Sequence, residues 1–366
     1  MNSRAIAKLC TLPVLVLILL GCSASMKTGD GQEEKKVVFY NVENLFDTID
    51  NPEKLDDVYL PDSVKLWSTQ RYNAKLDSLA KIIRFAAGGQ APDLLGLCEV
   101  ENRQVVEDLA KRVGSDKFGI SHFQSPDLRG IDCALVYHSG KGGFKVESEE
   151  RIRYDFPDEP LTWVREYQDS LPYTSRDILY VKGSFENSKE SLHIFVNHWP
   201  SRHGGLEKSQ PRRLRAASVL RAKVDSIEAA EPEALILIMG DLNDEPDNES
   251  VSRVLGAGMG GFQDGTLAEF SSGLTNLMGL IHQEEGKGSY NYRGNWNTLD
   301  HLIVSESLLD QDGDIMIYNA GVARADWMMF DHPKFGLTPS RTFGGPNYYA
   351  GYSDHLPVVA NIAIRK

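Results

Sequence analysis

The chain has 366 residues, with 39 Lys and Arg against 52 Asp and Glu for a net charge of −13, so simple electrostatic attraction does not hold it to nucleic acid. The acidic balance does not exclude a nuclease, because carboxylates that bind divalent cations add to the acid count while the cation bridges protein to phosphate. The length is enough for one large domain with an ample core.

Arg4 and Lys8 precede an apolar stretch from Leu9 to Leu20, followed by Gly21 and Cys22. Residues 1–21 therefore read as a signal peptide, too short for a comfortable membrane span. The string LLGC, with Leu19 three residues before Cys22, resembles the lipobox of bacterial lipoproteins. That resemblance implies acylation at Cys22 and an exported protein held by lipid to a membrane of the bacterial cell envelope. Residues 22–36 are polar, charged and glycine-containing, and read as a flexible tether. The remainder, 37–366, reads as one domain, for which a monomer is the default. Cys98 and Cys133 lie in apolar runs with no histidine at ligand spacing, so they read as buried thiols rather than a disulfide or a zinc pair.

Within the domain, periodicity predicts strands at Val37–Asn41, Asp93–Glu99, Cys133–His138, Phe144–Glu150, Ile178–Phe185 and Leu192–Asn197. Further strands follow at Ala234–Met239, Leu299–Val304, Ile315–Tyr318 and Leu356–Ile364. Helices are predicted over Arg71–Ala87, Gln104–Val113 and Pro211–Ala230, with a short one near Ser250–Leu255; Pro211 suits a first helical turn. Strands outnumber helices without a strict βαβ rhythm, which favours two packed mixed sheets flanked by helices. The polar stretches Thr48–Gln70, Glu150–Thr174, Gly256–Gly288 and Arg324–Gly351 read as surface excursions around the strand ends.

Several strands end in polar side chains: Asn41, Glu99, Asn197 with His198, and Asp241 with Asn243, while Ser353, Asp354 and His355 stand just before the last strand. The ordinary meaning of one such cluster is a capped turn. Recurrence at five strand ends is harder to set aside. After Gly240, which relieves the turn of a side chain, an extended chain would point Asp241 and Asn243 into one pocket.

The strings NVENLF at Asn41, CEVEN at Glu99, NHWPSR at His198, GDLND at Asp241, LDHLIVS at Asp300 and YSDHLPV at His355 resemble, in order, the endonuclease/exonuclease/phosphatase superfamily. The resemblance implies an α/β four-layer sandwich of the pancreatic-deoxyribonuclease kind and a metal-dependent phosphoesterase. It implies magnesium, with manganese able to substitute, held by Glu99 and Asn41 and completed by Asp354; hard oxygen ligands suit that ion. It implies that Asp241 and His355 activate water, that Asp300 orients His355, and that Asn243 donates to phosphate or water. His198 and Arg176 would contact phosphate.

Against these stand quieter readings: His301 should point away from Asp300, Asp244 and Glu245 suit a turn, and Arg176 before a strand could simply be solvated. Arg202–Arg215 contains five basic residues, as suited to a solvated loop and helix start as to phosphate. Trp199 and Trp296 could stack on a base or pack in the core. Nucleic acid is the leading substrate class; a phospholipid head group or small phosphate ester is the enzyme alternative, and a binding-only lipoprotein the non-enzymatic one.

Overall fold

The computed structural model describes residues 32–114, 117–160, 172–311 and 313–365; the predicted signal peptide and Cys22 lie outside them. The strands are β1 (Gln32–Leu45), β2 (Leu94–Val100), β3 (Phe118–His122), β4 (Asp132–His138) and β5 (Phe144–Ile152). They continue as β6 (Ile178–Phe185), β7 (Leu192–His198), β8 (Leu235–Asp241), β9 (Ala257–Met259) and β10 (Leu274–Asn276). Last come β11 (Asp300–Ser305), β12 (Ile315–Val322) and β13 (Val358–Arg365). They form a six-stranded sheet in the order β12-β13-β1-β2-β4-β3 and a seven-stranded sheet in the order β9-β10-β11-β8-β7-β6-β5. Both are mixed: β1 pairs parallel with β2 and antiparallel with β13, while β8 pairs parallel with β7 and antiparallel with β11.

The near-continuous apolar runs of the central strands are explained by burial on both faces. Alternate side chains go to alternate layers. Phe39, Leu94 and Leu135 of the first sheet meet Ile194, Val196, Leu237 and Met239 of the second in a core between the sheets. Val38, Tyr40, Leu95 and Leu97 face the other way, onto α1 (Thr69–Ala86) and α2 (Arg103–Val113). Ile236, Ile238 and Phe195 face outward onto Ala216, Leu220 and Val224 of α3 (Leu206–Ala230). Helix, sheet, sheet and helix make the expected four layers.

Ser68 and Asn102 cap α1 and α2, their side chains accepting from the backbone N–H groups of Arg71 and Val105. Cys98 and Cys133 are free, buried and directly opposed in the ladder between β2 and β4.

Three local expectations change. The last residues of the predicted tether, Gln32–Lys36, belong to β1 and pair with β13. Their charges are absorbed by local and remote partners together: Lys35 pairs with Glu33 at 2.8 Å and with Asp93 at 3.3 Å, and donates to the Gly142 carbonyl at 2.6 Å. Pro211 does not open α3, which begins at Leu206; the carbonyl its missing N–H forgoes is that of Glu207, in an exposed first turn where water can serve. Gly240 is not at a turn but inside β8, where a Cβ would lie 2.5 Å from the Asn197 carbonyl oxygen of β7. Close strand approach, not turn geometry, requires glycine there. The clash is with backbone, which cannot rotate away, so Gly240→Ala should lower unfolding free energy by about 1–3 kcal/mol. A denaturant titration checks this, and an unchanged midpoint would remove the role assigned to Gly240.

Candidate active site

Register places the principal residues. Asp241, the last residue of β8, is paired on one side with His198 of β7 and on the other with Asp300 of β11. Three functional side chains therefore sit on one rung of the second sheet. In the first sheet Asn41 of β1 is paired with Cys98, next to Glu99 on β2. The two sheets present these ends to a common opening.

The contacts are short and mostly buried. Asn41 Nδ2 donates to Asp241 Oδ2 at 3.0 Å and lies 3.4 Å from Glu99 Oε1, joining the two sheets. The backbone N–H of Asn44 donates to Glu99 Oε2 at 2.9 Å. His198 Nε2 is 3.7 Å from Glu99 Oε1 and 3.8 Å from Asp241 Oδ2. His355 Nδ1 bonds Asp300 Oδ2 at 2.7 Å, and its Nε2 is 3.7 Å from Asp241 Oδ2. Glu99, at φ +63°, holds a left-handed backbone that costs a side-chain-bearing residue about 1 kcal/mol or more, and such strain gathers at sites the surroundings over-determine.

The two histidines are driven to opposite charge states. Burial, with the Arg176 and Arg129 charges nearby, holds His198 well below the usual imidazole range, so it is neutral. Burial alone would depress His355 as well, but the carboxylates of Asp300 and Asp241 overcome it and raise the imidazole well above its ordinary value. Burial lifts Asp241 to about 7 against the pull of the His355 cation. An acceptor poised near neutrality thus stands between a neutral histidine and one whose carboxylate neighbours favour its cation.

An oxygen-rich donor set stands at the opening. The carboxylates of Glu99 and Asp241 lie within hydrogen-bonding range of the Asn41 amide N–H, at 3.4 Å and 3.0 Å, and hard oxygens of this kind fit a divalent cation, while Asn41 Oδ1 accepts the Glu43 N–H at 3.0 Å. Asp241, Asp300 and His355 also place one ligand atom each within 4.8 Å of one another. The 2.7 Å bond to Asp300 fixes the His355 ring; while the ring carries the proton that its carboxylate neighbours favour, it has no lone pair to offer a metal.

Some expected residues are placed differently. Asp354 forms an ion pair with Arg341 and does not join the Glu99–Asp241 cluster. Arg176 is 2% exposed and is bound to Asp127 at 3.2 Å and to the Trp199 carbonyl at 2.6 Å. Its guanidinium sits behind His198, holding the loop that follows β7, and is not solvated. Asn243 is not on an extended segment: at φ +52° it turns, its N–H donating to Asp241 Oδ1 at 2.9 Å and its amide to the Trp199 carbonyl at 3.0 Å. The turn and the pocket, posed as alternatives, coexist because one carboxylate oxygen serves each.

The quieter readings hold for His301 and Trp199, whereas Asp244 and Arg202 are tied to partners rather than left in a solvated turn or loop. His301 points away, bonding Asn276 and the Asp244 carbonyl at 2.8 Å each. Asp244 is buried against Arg213 at 2.7 Å. Arg202 donates to the Asn243 carbonyl at 2.7 Å, and Trp199 is fully buried.

Other contributors escaped the sequence reading or, like Ser353, were noted there only as strand-end polar residues. The Tyr290 ring lies 4.7 Å from that of His355. Ser289 Oγ accepts the Asp300 N–H at 3.1 Å, and Ser353 Oγ accepts that of His355 at 3.1 Å while donating to the Asn41 carbonyl at 2.7 Å. Glu43 accepts the N–H of Thr342 at 2.6 Å and of Phe343 at 3.2 Å, fastening a distant loop to the end of β1. Ser353 and Glu43 lie within the family strings; nothing in the local pattern around Ser289 and Tyr290 signals their role.

The sequence matches the endonuclease/exonuclease/phosphatase family over residues 36–365. No curated protein matches it. Among solved structures, an endonuclease/exonuclease/phosphatase family protein from Bacteroides thetaiotaomicron superposes with a TM-score of 0.54 at 14% identity, covering 91% of this chain and 98% of that one. The human nocturnin catalytic domain with bound sulfate gives 0.52 at 16% identity, covering 90% and 97%. A mannosyl-6-phosphatase from Bacteroides thetaiotaomicron gives 0.52 at 14% identity, covering 90% and 99%. At these identities the likeness is one of fold.

If Asp300 sustains the imidazolium, Asp300→Asn should bring the titration of His355 down toward or below its ordinary range, because burial then acts with one carboxylate fewer opposing it. Histidine-resolved NMR titration of the two proteins measures the difference, and an unmoved His355 would disconnect the pair.

Proposed function

The chain belongs to the endonuclease/exonuclease/phosphatase family, and from that premise we propose that it hydrolyses phosphodiester bonds by divalent-cation-assisted, in-line attack of water. The observation that carries this reading is the rung on which Asp241, near neutrality, stands between a neutral His198 and the His355–Asp300 pair. Asp241 accepts the proton of the attacking water, for which an acceptor titrating about pH 7 is well matched. His355, kept cationic by Asp300, offsets the negative charge that grows on the phosphoryl oxygens. His198, being neutral, has an Nε2 facing the same opening with which to contact the phosphate. Asn243 and Arg176 fix the Trp199 carbonyl and so the position of His198. Glu99 and Asn41 would hold magnesium, which manganese can replace; the ion supplies positive charge to the phosphate oxygens.

Nucleic acid is the substrate class we place first, as the family strings in the sequence suggest. A small phosphate ester is the second reading, favoured by the net charge of −13. We also place the protein at the bacterial cell envelope, lipid-anchored through Cys22, on the strength of the Leu19–Cys22 string.

The protein is to be incubated with magnesium or with a chelator against plasmid DNA, RNA, a phospholipid emulsion and a phosphomonoester. Turnover should require the metal and fall by at least about 100-fold in Asp241→Asn and His355→Ala, the scale on which general acid–base groups act, with circular dichroism unchanged. Full activity in either variant, or in the presence of chelator, would sink the mechanism.

A further inference from the structure

On the His198 side of the site a pocket of about 580 Å³ is lined by Arg129, Arg176, His203, Lys208 and Arg212, with Asp127 its one carboxylate among the described residues. Four permanently cationic side chains therefore face one acid in a chain whose overall charge is −13. Such a local reversal of sign needs an explanation beyond a solvated loop, because the remaining charge of the chain does nothing to favour it.

The pocket is built rather than incidental. Arg176, 2% exposed, forms its back wall; Asp127 and the Trp199 carbonyl take its terminal nitrogens, and its buried Nε has no partner. The buried Thr174 Oγ1, also on the wall, has none either. Both atoms are buried in residues that line the basic cavity, where buried donors are ordinarily satisfied. Asp127 is shared with Arg129 at 3.4 Å. The front wall comes from α3 and the loop before it, where Lys208 and Arg212 stand one turn apart, and Arg212 lies over the Tyr173 ring at 3.8 Å. The Trp199 carbonyl held by Arg176 belongs to the residue after His198, so pocket and reactive cluster share a backbone support.

We propose that this pocket is a subsite for a second phosphate group of the substrate, distinct from the phosphate being hydrolysed. That the second phosphate belongs to a substrate rests on the phosphoesterase reading; the anion site itself does not. Guanidinium groups offer paired donors that match phosphate oxygens, and the lysine adds a point charge. The second phosphate could be the neighbouring one on a nucleic acid strand or a further ester on a small molecule; the recognition chemistry is the same.

Two measurements test it. Inorganic phosphate is titrated calorimetrically into the protein with chelator present, comparing wild type, the double variant Lys208→Gln with Arg212→Gln, and Asp241→Asn. Binding lost in the double variant and kept in Asp241→Asn supports the subsite; binding indifferent to the double variant overturns it. This titration needs neither metal nor turnover, so an inactive enzyme leaves its outcome intact and counts only against the hydrolase reading. The source is then read from kcat/KM ratios, pTpT over TpT for a strand and a hexose bisphosphate over its monophosphate for a small ester. The double variant should lower the relevant ratio by about tenfold or more, the scale of a lost charge-assisted bond. Both ratios unchanged would overturn the proposal.

Discussion

The site depends on strand register more than on any single contact. With β8 lying between a parallel and an antiparallel neighbour, Asp241 has His198 on one side and Asp300 on the other. A slip of one residue on either side would turn one of these side chains to the opposite face. That register is secured away from the chemistry, by Leu237 and Met239 buried between the sheets and Ile236 and Ile238 buried against α3. Packing over the length of the strand thus fixes a geometry expressed at its last residue.

The same register governs the electrostatics. His198 and His355 flank Asp241 at 3.8 Å and 3.7 Å, yet one is neutral and the other cationic. The difference lies in what stands behind each ring: arginines behind His198, Asp300 behind His355. Two histidines that each approach Asp241 are separated by their other neighbours into a neutral contact and a charged one.

Arg176 illustrates how a residue can be relevant for a reason other than the one expected. Its motif suggests a phosphate contact or solvent, and it is instead a buried brace whose charge reaches His198 and which lines the wall of a basic pocket. The basic segment Arg202–Arg215 divides in the same way. Arg202 and Arg213 tie down the turn after β8, while Lys208 and Arg212 line the pocket. Composition cannot separate these roles because the four lie within a few turns of chain, and only the direction in which each leaves the helix or loop decides.

What the sequence determined by itself is the layer order and the identity of the strand-end residues. Apolar runs such as Ala234–Met239 can be satisfied only by burial on two faces, and a polar residue ending such a run must lie at a layer's edge. Asn41, Glu99, His198, Asp241, Asp300 and His355 were legible on that ground together with the family strings. Tertiary structure alone decided which edge residues meet. Asp354, next in sequence to His355, turns to Arg341, whereas Tyr290, in a polar stretch with no periodic signal, packs its ring against that of His355. It also decided that Gln32–Lys36 is strand, since pairing with the last strand, with Asp93 and the Gly142 carbonyl adding to the local Lys35–Glu33 pair, lets those charges lie in a sheet. Periodicity reports what a segment must bury, and it carries no information about a partner that arrives from elsewhere in the chain.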